Sequence, residues 1–208
     1  GWNWIKKMNE LKELQRAEAF FEVVAPYLGD FFPSEYSLVE FCAGNGNIGR
    51  VFSDKGRIER VNFVDIKKVR GLEKTLKDLR CETEVNLDGV ESYQIPRGDV
   101  ATVAIHACGE LTDKILRKSV AKGVPVAIMP CCYGRGPRGY SLVNPPDPRL
   151  LLYDCKEDYF DETRMRFLIE SGYEARIERI NPKITPMNRI IVGTPKKQTN
   201  QRISGGEK

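Results

Sequence analysis

One stretch constrains the fold of this chain more than any other: Glu40-Phe41-Cys42-Ala43-Gly44-Asn45-Gly46-Asn47-Ile48-Gly49. Residues Ser37 to Cys42 read as a short buried strand carrying one acid, Glu40, and Ile48 to Phe52 as the start of a helix. Between them Gly44, Gly46 and Gly49 stand at GxGxxG spacing. Such a turn needs residues without a Cβ, because its backbone takes dihedrals that other residues resist and approaches a ligand closely. The N–H groups that open the helix are expected to face that ligand. A strand, a glycine turn and a helix in this order commit the chain to an open α/β sheet whose site lies at the carboxyl ends of the strands.

The glycine spacing alone is a weak signal, but a second element follows at the right distance. Arg60 to Ile66 reads as another strand, ending on Asp65, an acid suited to accept hydrogen bonds from a ribose diol. Together they mark a nucleotide-type site. Glu40 then selects the class of nucleotide. A carboxylate four residues before the first glycine would repel the diphosphate of NAD and suits a cationic ligand. At this point the chain resembles the class I, Rossmann-like S-adenosylmethionine-dependent methyltransferases, whose first motif is an acid, a strand end and a glycine-rich loop. The resemblance implies S-adenosylmethionine as cofactor. It places the contacts at Glu40, Phe41, Cys42, Gly44, Gly46 and Asn47, then at Asp65 and Ile66, Asp88 and Gly89, and His106 and Ala107. Asp88 is placed to bond the adenine amino group, with Gly89 leaving room for the ring; a simple turn is the alternative.

The rest of the chain reads as alternating elements. Trp4 to Leu28 forms a long helix, with Ile5, Met8, Leu11, Leu14, Phe20, Phe21 and Val24 at helical spacing and Pro26 and Gly29 marking its end. Helices are expected over Lys67–Arg80, Leu111–Ala121 and Asp158–Ser171, and further strands over Thr83–Leu87, Val100–His106, Pro125–Pro130, Tyr173–Ile180 and Arg189–Val192. The last two strands have no helix between them and should pair antiparallel. The expected architecture is α/β: a Rossmann-like, seven-stranded, mostly parallel sheet with an antiparallel last strand and helices on both faces, five β–α units closed by a hairpin. Residues 1–195 should form a single domain, with 1–30 as a leading helix and 196–208 as a disordered tail. Tyr133 to Arg149, rich in glycine and proline, reads as a long irregular loop.

With 208 residues, 41% hydrophobic and 30% charged, the chain has the make-up of a globular protein that buries a sizeable core. No apolar run reaches membrane-spanning length, and no signal-peptide pattern opens the chain, so a cytoplasmic setting is expected. The first residue is Gly, as in a trimmed chain or a piece of a longer protein. Six cysteines without a CxxC pair favour reduced thiols over a disulfide framework. The net charge of +4 is modest. Arg57, Arg60, Lys67, Lys68 and Arg70 cluster around the second strand, and Arg135 and Arg138 lie in the glycine-rich loop. Either a solvated face or a nucleic-acid surface would explain them.

His106, the only histidine, ends the fourth strand, where methyl acceptors bind in this fold. An imidazole there can take a proton at neutral pH. Cys131, Cys132 and Tyr133, from the next strand end, should form the facing wall, so His106, Cys131, Cys132 and Tyr133 are the candidate catalytic residues. His106-Ala107-Cys108-Gly109-Glu110-Leu111 followed by Cys131-Cys132-Tyr133 is similar to one methyltransferase group. That group includes the methyltransferase domain joined to a glutathione-transferase-like module, and the tRNA ribose 2′-O-methyltransferases have similar signatures. Ile184-Thr185-Pro186-Met187-Asn188-Arg189 also resembles the first of these. The resemblance implies an RNA substrate, with protein methylation as the rival. An NAD-linked oxidoreductase and a non-catalytic binding module remain open as alternatives. Asn144-Pro145-Pro146-Asp147 resembles an amino-methyltransferase motif but lies beyond the fifth strand and lacks the aromatic. A metal site at His106, Cys108, Cys131 and Cys132 is disfavoured because neighbouring cysteines on a strand point to opposite faces.

Overall fold

Three segments, Tyr36–Phe41, Val100–Ile105 and Val126–Met129, are apolar and buried at nearly every position, as strands covered on both faces must be. The computed structural model describes residues 2–67, 69–131, 133 and 156–197. In chain order the elements are α1 (Trp2–Phe31), β1 (Tyr36–Phe41), α2 (Asn47–Lys55), β2 (Ile58–Asp65), α3 (Arg70–Asp78), β3 (Glu82–Leu87), β4 (Val100–Ile105), α4 (Glu110–Lys122), β5 (Val126–Met129), α5 (Lys156–Glu170), β6 (Tyr173–Arg179) and β7 (Arg189–Pro195). One seven-stranded sheet runs in the order β3-β2-β1-β4-β5-β7-β6. The pairs among β1 to β5 are parallel, and β7 is antiparallel to both β5 and β6. The expected seven-stranded, mostly parallel sheet with helices on both faces is present.

Alternation along the strands sorts the core into two layers. Leu38, Phe63, Val103 and Met129 face the layer of α1, α2 and α3, while Val39, Phe41, Val64 and Ile128 face that of α4 and α5. Because the order of strands reverses beside β1, the carboxyl ends of β1 and β4 diverge there and leave the crevice in which this fold binds ligands. Among the described residues, no helix is long and apolar enough to cross a membrane.

Two expectations need correction. The chain does not make five β–α units, since residues 88–99 between β3 and β4 contain no helix. That link must pass β2 and β1, roughly 14 Å sideways at the usual strand spacing, and return along the sheet by roughly 20 Å. Twelve helical residues would rise only about 18 Å, so the link stays open and buries Val90, Tyr93 and Ile95 instead. Nor do Pro26 and Gly29 stop α1, which continues to Phe31. An interior proline costs about 3 kcal/mol, but this turn buries Val24 and Leu28 completely. Arg57 also donates to the carbonyl oxygens of Gly29, Phe32 and Pro33, satisfying the helix end. The apolar face of α1 is covered only in its second half. Trp4, Ile5, Met8 and Leu11 are exposed, whereas Ala17, Phe20, Val24 and Leu28 are fully buried.

Candidate active site

Glu40 does something the sequence reading did not expect. Its side chain is 3% exposed, and its two oxygens accept hydrogen bonds from the backbone N–H groups of Ile48 (3.3 Å) and Gly49 (2.7 Å). The opening N–H groups of α2 therefore face Glu40, not a ligand. Burial pushes its carboxyl up to about 8 despite these two donors. The consequence for cofactor choice is direct: N–H groups at the helix N-terminus, the usual seat of a diphosphate, already bond the Glu40 carboxyl.

The three glycines also divide their labour. Gly44 has φ +51° and a Cβ built on it would meet nothing within 4 Å, so only this one opens onto free space. A Cβ on Gly46 or Gly49 would strike the Phe63 ring at 2.8 Å and 2.6 Å, so these two let α2 and its turn pack on β2. Asp65, at the end of the neighbouring β2, accepts from the Gly44 N–H at 2.9 Å and so braces the turn. Beside it Ile66 and, at the end of β3, Leu87 are 78% and 62% exposed, an apolar pair at the strand ends. Asp88 accepts from Gly89 N–H (2.9 Å) and from the Ser92 hydroxyl, which is turn-capping work. Phe41 and Ala107 are fully buried; the Phe41 ring packs edge-on against Tyr93, so neither side chain reaches the crevice.

A cavity of about 310 Å³ lies over the glycine turn. Its walls are Glu40, Cys42, Gly44 and Asn47 on one side, His106 on a second, and Glu13 and Arg16 of α1 on a third. Cys42 and His106, which follow β1 and β4, are the non-glycine residues with positive φ (53° and 63°) among those described. Such conformations cost of order 1–3 kcal/mol each, and here both flank one cavity. Burial raises the Cys42 thiol to about 12, so it remains protonated. Burial first, and then the Arg16 guanidinium, lowers the imidazole of His106 below its ordinary value.

The contribution of α1 was missed from the sequence. Arg16 Nη1 lies 3.1 Å from His106 Nε2, and since a guanidinium only donates, Nε2 accepts. Glu13 accepts from the side-chain amides of Asn45 (3.1 Å) and Asn47 (3.4 Å). The signal was available. Glu13 and Arg16 stand four residues before Ala17 and Phe20, on the stripe of the helix that faces inward.

The proposed facing wall is built differently from expectation. Tyr133 is buried and its hydroxyl donates to Asp161 of α5 at 2.5 Å, while burial raises its phenol well above the ordinary range. It is tied into a buried cluster in which Arg164 bonds Asp113 (2.7 Å), Asp161 (3.1 Å) and the Gly109 carbonyl oxygen (3.3 Å). Cys131 is buried with its Sγ 2.9 Å from that of Cys108. Cys132, Arg135, Arg138, Lys68 and the segment Asn144 to Asp147 lie outside the described residues. Of the basic cluster, Arg57 holds the end of α1, and Arg60 pairs with Glu82 and Glu84. Lys67 and Arg70 face solvent near the cavity, with Lys74 one turn beyond.

Residues 12–135 match a family model described as a methyltransferase domain. Among curated proteins, a human glutathione S-transferase C-terminal domain-containing protein is 22% identical over 224 aligned positions, covering 91% of this chain and 34% of its own length. A Xenopus laevis protein of the same description is 29% identical over 103 positions, covering 47% of this chain and 16% of that protein. The chain thus spans about a third or less of these relatives. Among solved structures, an rRNA methylase from Streptococcus thermophilus superposes with a TM-score of 0.54 at 19% identity, over 83% of this chain and 94% of that one. A small RNA methyltransferase gives 0.60 at 13% identity, over 88% of this chain and 25% of that one. Magnesium protoporphyrin IX methyltransferase from Synechocystis, with bound SAM, gives 0.57 at 13% identity, over 93% and 85% of the two chains.

Proposed function

Since the chain belongs to the methyltransferase domain family, we propose that it transfers a methyl group from S-adenosylmethionine to an RNA acceptor in the cytoplasm. The observation that carries the choice of cofactor is Glu40 filling the N-terminus of α2. An NAD-type diphosphate would find the donors of that helix end already taken, whereas a cofactor without phosphate does not need them. The residues at hand suit it. Gly44 offers an open backbone edge, Asp65 stands beside it for a ribose diol, and Ile66 and Leu87 offer apolar surface for a base.

Bound there, the cofactor supplies an electrophilic methyl group. The chain's work is alignment and exclusion of water, with α1 as a wall of the cavity. His106 Nε2 would accept the proton of an acceptor hydroxyl, which must first replace the Arg16 N–H that occupies this lone pair. Calorimetry should show binding of S-adenosylhomocysteine and none of NAD. Asp65→Ala should weaken that binding about tenfold or more, the scale of a lost charge-assisted hydrogen bond. Tighter binding of NAD than of the homocysteine ligand would sink the reading.

RNA is supported by the motif likeness to tRNA methyltransferases and by the exposed cations Lys67, Arg70 and Lys74 beside the turn. Gel shifts with tRNA should weaken steeply as salt rises, because phosphate contacts release counterions. Absence of binding at low salt would remove RNA and favour a protein acceptor.

A further inference from the structure

The charged groups around the cavity do not balance the cofactor just proposed. Its amino-acid end carries an ammonium and a carboxylate. For the ammonium the cavity offers Glu13. For the carboxylate the N-terminus of α2 is closed by Glu40, and Nε2 of His106 accepts a bond instead of giving one. Arg16 is the cation in the lining.

Its guanidinium is half used. Nη1 donates to His106, but Nε is buried with no hydrogen-bond partner among the described residues. A buried donor left unmet is costly, and an arginine side chain presents Nε and Nη2 along one edge, with the spacing of two carboxylate oxygens. Resting on the methyltransferase reading, we propose that Arg16 seats the cofactor's carboxylate on its Nε–Nη2 edge while Nη1 holds the His106 ring until the acceptor hydroxyl displaces it. One side chain of α1 would then join cofactor and base. A bound carboxylate offsets the guanidinium charge beside the imidazole, so cofactor binding and His106 protonation are coupled. The other groups facing the ring are Glu13 of α1 and, across the cavity, Glu40 and Cys42.

The single histidine makes this measurable, since imidazole NMR signals belong to His106 alone. In the parent, saturating S-adenosylhomocysteine should raise the His106 titration midpoint towards its ordinary value. In Arg16→Gln the free protein should already titrate higher, and the ligand should shift it little. By calorimetry Arg16→Gln should weaken S-adenosylhomocysteine about ten- to hundredfold but leave methylthioadenosine, which lacks the amino-acid end, unchanged; Arg16→Lys should recover part of the loss. Equal loss for both ligands, or none for either, would overturn the role of Arg16. A parent protein that binds neither ligand would instead overturn the cofactor reading itself.

Discussion

Arg164→Met should lower the folding stability by about 3–5 kcal/mol, measured as a fall in the urea midpoint, the largest loss expected from any single change described. Arg164 is 1% exposed, and the carboxylates it pairs with, Asp113 and Asp161, are 0% exposed. The pairing need not stabilise the protein on balance, because three groups were taken out of water to make it. Removing the cation alone is what costs, since it strands buried carboxylates. Methionine roughly keeps the volume, so the loss isolates the charge. Arg164 also lies over the rings of Tyr133 and Phe160, at 5.6 Å and 5.8 Å, and holds the Gly109 carbonyl oxygen. Gly109, after β4, and Tyr133, after β5, should therefore loosen first. A second change, Asp113→Asn, should restore part of the stability; if it adds to the loss, the stranded charge is not the cause.

His106→Ala should lower turnover by about a hundredfold or more, the scale of a lost general base, while leaving S-adenosylhomocysteine affinity within a few fold. The sign of the pH effect follows from the depressed imidazole. A base works when neutral, and a lowered pKa keeps it neutral below the ordinary 6.5. kcat/KM, which reports the free enzyme, should therefore hold as pH falls past 6.5 and drop only through the lower folded value, whereas kcat at saturating cofactor should drop nearer the ordinary value. The same depression means that the native state binds the proton less well than the unfolded chain, so stability present above 6.5 is lost on acidification. The variant should lose the acidic limb of the rate profile. Full activity in the variant would make His106 a structural residue.

The sheet was legible because its evidence is local. The glycine turn, Asp65 at a strand end and the helix-free link before β7 are each visible within a few residues. The site was legible where one strand end supplies it, as with Gly44 and His106. It was not legible where contacts join distant segments. Glu40 lies eight and nine residues from its partners Ile48 and Gly49, close enough to suspect, but which way a carboxylate turns depends on the packed helix. Arg16 and His106 are 90 residues apart, and nothing in either sequence neighbourhood announces the other. Tyr133 looked like pocket lining by position, and its true partner, Asp161, comes from α5, 28 residues on.

The place of β7 bears on how the chain can be made. It lies between β5 and β6 and is buried through Ile190, Ile191 and Val192, so an interior strand of the sheet comes from the last of the described elements. During synthesis β5 must wait for its native partner until residue 195 has emerged, because β7 and not β6 is its neighbour. Gly193 helps it fit, since a Cβ there would meet Leu168 of α5 at 2.8 Å. A nascent chain halted before β7 would thus hold its glycine turn and parallel strands yet display an open, apolar strand edge, the kind of surface that recruits chaperones or aggregates.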